Sequence, residues 1–335
     1  DYTGGGCPHI LAEPQRTNLV EYSEDFENSY YDENNGVTAT NDSTTSPSGL
    51  VNASKILGGL DNAYIGIFQA YTTTSTTVTA SVFLKQDTIS DVGLYYTGDL
   101  GDGANDNLQI DLSSGTLTSI GSGLTASITS YNNGWYKVTS TYTTKASGST
   151  LGIRLYSLTA GSFYAWGLQL EAGSYATSYI PTSGSTVTRN QDIFTRDGIG
   201  SLINSTEGVL FIEFKTLSET GTFRQFNLSK DSGNRIYITK RGDSGNLEFR
   251  MENPSGNLNF TFAENTTNDF VKVAFRYGLN NFAVFIDGVN KNVTSTGNVF
   301  ASGTLNTLEF DSPLSQPFYG KVKQLQVYDT ALTDE

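Results

Sequence analysis

Apolar and polar residues alternate with a period of two along much of the chain, the spacing that sends successive side chains to opposite faces of a strand. In Val78-Thr79-Ala80-Ser81-Val82-Phe83-Leu84-Lys85, one face carries Val78, Ala80, Val82 and Leu84. In the stretch from Phe163 to Glu171, one face carries Tyr164, Trp166, Leu168 and Leu170, and the other ends in Gln169 and Glu171. Further on, Leu210, Ile212 and Phe214 share a face, and Phe282-Ala283-Val284-Phe285-Ile286 runs into Asp287-Gly288, a strong hairpin cue. Gly320 to Tyr328 reads as a closing strand. Between these runs, Asn34-Asn35-Gly36, Ser46-Pro47-Ser48-Gly49 and Asn132-Asn133-Gly134 are turns, because Asn and Gly tolerate positive φ and Pro presets it. No stretch has helical spacing. The pattern predicts an all-β protein of two tandem antiparallel β-sandwiches.

The length of 335 residues accommodates two domains. Residues 1–16 read as an opening segment and 17–182 as the first sandwich. Residues 183–189, with Ser183-Gly184-Ser185 after Pro181, read as a linker, and 190–335 as the second sandwich. No repeat relates the two halves.

Composition narrows the chemistry. Thirty-four acidic against 20 basic residues give a net charge of −14, which repels phosphate backbones and excludes a nucleic-acid partner. Only 16% of residues are charged, while Gly (35), Tyr (19) and Phe (19) are abundant, as in sheets joined by many turns. No apolar run is long enough for a membrane helix. A lone cysteine, Cys7, forms no intrachain disulfide, and a lone histidine, His9, builds neither a His-rich metal site nor a nucleophilic triad. With Asp1 first and Met251 the sole methionine, the sequence reads as a processed chain or a piece of a longer one.

Three motifs occur together: Glu13-Pro14-Gln15-Arg16-Thr17-Asn18-Leu19 with Tyr22 to Phe26, Gly134-Trp135-Tyr136-Lys137-Val138, and Trp166-Gly167-Leu168-Gln169-Leu170-Glu171 continuing to Thr182. Together they resemble a jelly-roll module of bacteriophage tail-fibre and other virion proteins, also found in secreted bacterial proteins. The module is more distantly similar to calcium-containing carbohydrate-binding jelly rolls. That likeness implies a structural calcium with Glu27 as a ligand, although Trp166-Gly167 stands where an Asp is usual. Residues 190–335, with Gly208 to Phe214, Asp287-Gly288-Val289 and Val327 to Thr333, resemble a concanavalin A-like or laminin G-like lectin sandwich. The resemblances imply a non-catalytic glycan-binding adhesion component of a tail fibre or related virion structure. Its partners would be a bacterial surface or extracellular glycan and other virion subunits, its assembly a homotrimer, and its location extracellular or on the virion surface. Two alternatives stand beside this: the carbohydrate-binding region of a secreted polysaccharide-degrading enzyme, and a purely structural virion protein.

Candidate site residues follow from what sugars need: aromatic faces and side chains that bond hydroxyls. The doublets Tyr30-Tyr31 and Tyr95-Tyr96 border polar segments and are candidate ligand residues, although a strand turns one ring of each doublet inward. Trp135 reads as a lid and Trp166 as core. In the second sandwich Arg235, Tyr237 and Arg250 are candidates, grouped with Glu213, Glu248, Lys272 and Arg276 on faces opposite apolar positions, and the arginines suit an acidic glycan. Asp102, Asp106 and Asp111 read as a solvated turn with a loose likeness to a calcium loop. Glu309 and Asp311 share a strand face, but Leu314 stands where a hydrolase motif would place its third acid, so the chain reads as non-enzymatic.

Overall fold

The computed structural model describes residues 8–33, 36–58, 64–67, 75–98, 106–143, 150–217, 223–264, 266–294, 296–311 and 316–333. Cys7 and Asp102 lie outside them. The described residues form strands and turns, with one 3₁₀ turn at Asn132–Gly134, and every strand pairing among them is antiparallel. The chain divides into two compact units, one of Gln15–Asn190 and one of Asp1–Pro14 with Gln191–Glu335.

The first unit is a sandwich of two six-stranded sheets. The tyrosine sheet runs, in spatial order, Thr116–Ile120, Asp106–Asp111, Asp91–Gly98, Leu151–Ser157, Tyr64–Ile67 and Tyr31–Glu33. The tryptophan sheet runs Leu124–Ser130, Trp135–Thr143, Thr77–Gln86, Gly161–Ala172, Val51–Gly58 and Thr38–Thr45. Val78, Ala80, Val82 and Leu84 all enter the core between them, as their spacing predicts.

Gly161–Ala172 departs from the predicted face. Tyr164 and Trp166 point away from the core, while Leu168 and Leu170 point into it. The cause is a bulge: the register against Thr77–Gln86 shifts between Trp166 and Gln169, with Gly167 at φ +66°. One extra residue inverts the alternation. Trp166 is therefore buried in a separate cluster with Ala53, Phe83 and Trp135 on the outer face of the tryptophan sheet, flanked by Tyr164 and Tyr179.

The segment after the bulge is bolted down by the residues that carry the jelly-roll resemblance. The fully buried Asn18 side chain donates to the carbonyls of Ile180 (2.9 Å) and Leu168 (3.4 Å) and accepts from the amides of Val20 and Leu170 (both 3.1 Å). Glu171, equally buried, accepts from the Thr177 amide (3.0 Å), the Thr177 hydroxyl and Gln169 Nε2 (2.7 Å). The motif is architectural.

The second unit is also a sandwich of two six-stranded sheets. The closing-strand sheet runs Ile10–Ala12, Gly320–Tyr328, Glu207–Thr216, Val271–Gly278, Phe282–Ile286 and Val289–Thr294. The arginine sheet runs Thr195–Arg196, Thr307–Glu309, Arg224–Asp231, Asn234–Lys240, Leu247–Glu252 and Leu258–Phe262. Leu210, Ile212 and Phe214 enter the core between these two sheets. The hairpin cue holds, with Asp287 at φ +50° and Gly288 at +78° joining Phe282–Ile286 to Val289–Thr294.

Two segments outside the predicted sandwiches form strands. Ile10–Ala12 is the edge strand beside Gly320–Val322 of the second unit, with Ala12 fully buried, because a sheet edge offers unpaired backbone groups that a short extended segment satisfies. Val187–Arg189, within the expected linker, pairs with Arg16–Asn18, a stretch that straddles the expected end of the opening segment.

Candidate functional site

In each tyrosine doublet one ring is taken by the core. Tyr31 is buried, stacked on Phe26 at 5.0 Å with its hydroxyl donated to the Tyr22 carbonyl, and Tyr96 is buried with its hydroxyl against Ser140. Burial raises the pKa of both phenols. Neither ring is open to a ligand, so Tyr31 and Tyr96 are corrected to core residues. Tyr30 is half-buried, edge-on to Tyr31 at 5.2 Å, and its hydroxyl accepts from the Glu21 amide. Tyr95 is half-buried on the outer face of the tyrosine sheet, opposite Arg154 and Asn107. Trp135 is buried and donates Nε1–H to the Thr45 carbonyl at 3.0 Å.

The donor set around Glu27 does not fit a calcium ion. Glu27 is exposed, and among the described residues no group of three or more His, Cys, Asp or Glu side chains is placed to hold a metal. The neighbouring acids are occupied by amides and a phenol. Asp25 accepts from Asn28 (3.1 Å) and Asn41 (2.6 Å), and Glu24 from Asn52 (2.8 Å) and Tyr179 (3.0 Å). Asp111 accepts from Ser113 and Ser114, which lower its pKa to about 2, and Asp106 accepts from the Gly123 amide. Asp111 thus shapes the turn after its strand, whereas Asp106 is corrected from a solvated turn residue to a buried strand residue.

The second unit holds the densest polar cluster. On the arginine sheet, alternate positions of three adjacent strands turn away from the core: Gln225, Asn227 and Ser229, then Arg235, Tyr237 and Thr239, then Glu248, Arg250 and Glu252. The sequence reading brings Arg235, Tyr237, Glu248 and Arg250 together correctly. Glu213, Lys272 and Arg276 belong instead to the closing-strand sheet. Asn227, Glu252 and Thr239 were not singled out. The polar alternation in Gln225-Phe226-Asn227-Leu228-Ser229 marks the face, but their neighbours depend on cross-strand register.

Arg235 Nε meets Glu252 Oε2 at 2.6 Å, and its guanidinium lies 4.4 Å from the centre of the Tyr237 ring. Tyr237 donates to Glu252 Oε1 at 3.2 Å, and burial pushes its pKa up to about 12. Tyr237 is thus a support beneath Arg235, not an open stacking surface. Arg250 reaches Glu252 (3.4 Å) and Glu248 (3.7 Å), and Arg241 reaches Glu248 (2.9 Å) and Asp243 (2.7 Å). Each of the three arginines is matched by carboxylates, which corrects the expected preference for an acidic glycan. Glu309 sits opposite Asn227 and accepts from Ser229 at 3.1 Å; burial, with Asp311 nearby, raises its pKa.

This face is polar yet largely shut off from solvent. Asn227 and Thr239 are fully buried and Arg235 is 4% exposed. Asn227 Oδ1, Thr239 Oγ1 and Arg235 Nη1 have no hydrogen-bond partner among the described residues. Buried polar groups are nearly always bonded, so three such atoms on one sheet face point to buried water.

No curated protein matches the chain. Among solved structures it is similar to a heptameric SAP-like pentraxin from Limulus polyphemus, at 16% identity over 39% of this chain and 68% of that one, with TM-score 0.31. It is also similar to domains LG4-5 of the mouse laminin α1 chain, at 13% identity over 83% and 93%, with TM-score 0.29. A provisionally named carbohydrate binding protein from Bacteroides ovatus matches at 13% identity over 82% and 78%, with TM-score 0.33. None of these superpositions places a ligand or a residue in this chain. No helix among the described residues is long and apolar enough to cross a membrane. Residues 211–335, which include every strand of the arginine sheet but Thr195–Arg196, match the family of concanavalin A-like lectins and glucanases.

Proposed function

We propose that the protein is a non-catalytic glycan-binding adhesion component that engages a largely neutral extracellular polysaccharide through the outer face of the arginine sheet. The observation that carries this reading is that face itself: polar side chains at alternate positions of three adjacent strands, locked together by ion pairs, with Arg250 and Arg241 at its surface. Sugar hydroxyls both donate and accept, which suits the guanidinium groups of Arg250 and Arg241 and the Asp243 carboxylate beside them. Arg250 and Arg241, each about one-third exposed, form the outer layer that meets the ligand. The match of residues 211–335 to lectins and glucanases supports the same class. A tail-fibre or virion setting, with virion subunits as partners and a homotrimeric assembly, is supported by the jelly-roll resemblance of the first unit. Weak single sites then act together through multivalency.

The test is a glycan array with the wild-type chain and Arg250→Ala, displayed multivalently. Binding to a defined set of neutral glycans, weakened in the variant, is the expected result. Absence of binding to any glycan overturns the reading. A second reading, glycoside hydrolysis, would use Glu309, a half-buried carboxyl bonded to Ser229 on the same sheet, whose pKa burial shifts upward. Release of reducing ends that disappears in Glu309→Gln would establish it.

A further inference from the structure

The other outer face of the second sandwich carries a cavity of about 390 Å³, within the size range of small-molecule sites. Its floor and walls lie in one cross-strand row of the closing-strand sheet, Phe211, Ala274 and Phe285. The two phenylalanines are only half-buried, although each is a large apolar side chain facing away from the core. Adjacent strands are about 4.8 Å apart, so the backbones that carry Phe211 and Phe285 lie roughly 9.5 Å apart, with Ala274 on the strand between them. A flat ring in contact with a wall on each side needs about 7 to 8 Å. The spacing is therefore wide enough to admit one flat ring over Ala274.

Charge is placed at both ends of this slot along Val271–Gly278. On one side, Arg276 is 8% exposed, lies 5.8 Å from the centre of the Phe285 ring, and donates to the carbonyl of Leu332 at 3.1 Å, which with Thr333 also lines the cavity. On the other side Lys272 is exposed. Glu213, its neighbour across the strand pair, lies 3.5 Å from Lys323, and Lys272 makes no salt bridge among the described residues.

We propose that this cavity binds a small amphipathic anion, an apolar ring carrying one carboxylate, with the ring between Phe211 and Phe285 over Ala274 and the carboxylate at Lys272. The apolar walls offer too few donors and acceptors for the hydroxyls around a sugar ring. The lysine gives the carboxylate form an advantage over a neutral analogue. This site is separate from the arginine sheet and does not depend on the glycan reading.

The probes are 3-phenylpropionate and its neutral counterpart 3-phenylpropanol, titrated into the full chain and followed by saturation-transfer NMR. The carboxylate binds, the alcohol binds roughly fivefold more weakly, and Lys272→Glu removes that preference. Ala274→Leu fills the slot and abolishes binding of both, with folding checked by the thermal midpoint. If Ala274→Leu fails to fold, the exposed Lys272→Glu variant carries the test alone. Absence of binding, equal binding of both probes, or binding that survives Ala274→Leu overturns the proposal.

Discussion

Asn18 shows how much a single side chain decides in the first unit. Its amide donates to two carbonyls and its oxygen accepts from two backbone amides, all in a site with no water access. An aspartate there accepts but does not donate to Leu168 and Ile180, and its charge is buried among carbonyl oxygens. Asn18→Asp is expected to cost about 3 kcal/mol or more, read from denaturant unfolding. Glu171 has the same neighbourhood and a different pH signature. Burial raises its folded pKa above 4.5 despite the donations from Thr177 and Gln169. The stability it contributes is therefore complete below pH 4.5, where folded and unfolded forms are both protonated, and is lost as pH rises through the higher folded value. The thermal midpoint of the wild type minus that of Glu171→Gln should fall as pH rises from 4 to 7, on the linkage expected of one buried acid. A flat difference would mean that Glu171 titrates as an ordinary surface acid. The tyrosine doublets belong to this scale too. That one ring turns inward is legible from strand alternation for Tyr95-Tyr96, whereas Tyr30 lies in the turn before Tyr31–Glu33 and packs against the same core as Tyr31.

Among the elements, Gly161–Ala172 is the most instructive. A strict period of two puts Trp166 and Leu168 on one face; the bulge at Gly167 puts them on opposite faces and creates a second small core outside the tryptophan sheet. Gly167 adopts φ +66°, and a Cβ there would come within 3.2 Å of the Tyr179 ring. Gly167→Ala should destabilise the chain by about 1–2 kcal/mol, and an unchanged denaturation midpoint would show that the bulge relaxes. The arginine sheet makes the complementary point. Arg235, Tyr237 and Arg250 are visible as polar positions on strands, yet their pairing with Glu252 and Glu248 follows from register between Asn234–Lys240 and Leu247–Glu252. That register turned an apparent cationic patch into a neutralised hydrogen-bonding surface.

At the scale of the whole molecule, the chain passes between its two units twice, because Ile10–Ala12 completes the sheet that ends with Gly320–Tyr328. Glu13 and Asp192 then fix the two ends of the second unit to each other: the Glu13 amide donates to Asp192 Oδ2 and the Asp192 amide to the Glu13 carbonyl, both at 2.9 Å. Removing residues 1–14 should lower the stability of the second unit by on the order of 2 kcal/mol while leaving the first unit's transition in place, seen as one of two calorimetric transitions moving. The sequence by itself determined the class of the fold, the count of two sandwiches, the Asp287-Gly288 hairpin and the core faces of Thr77–Gln86 and Glu207–Thr216. All of these follow from local alternation and turn chemistry, which act over a few residues. Only the tertiary structure decided that Ile10–Ala12 is an edge strand, that Gly167 inverts a face, and that the jelly-roll motif is architectural. It alone separated Lys272 and Arg276 from Arg235 and Arg250. Those outcomes depend on pairing and packing between strands that are apart in sequence, from 17 positions for Arg235 and Glu252 to the whole length of the second unit for Ile10 and Val322, which no local pattern encodes.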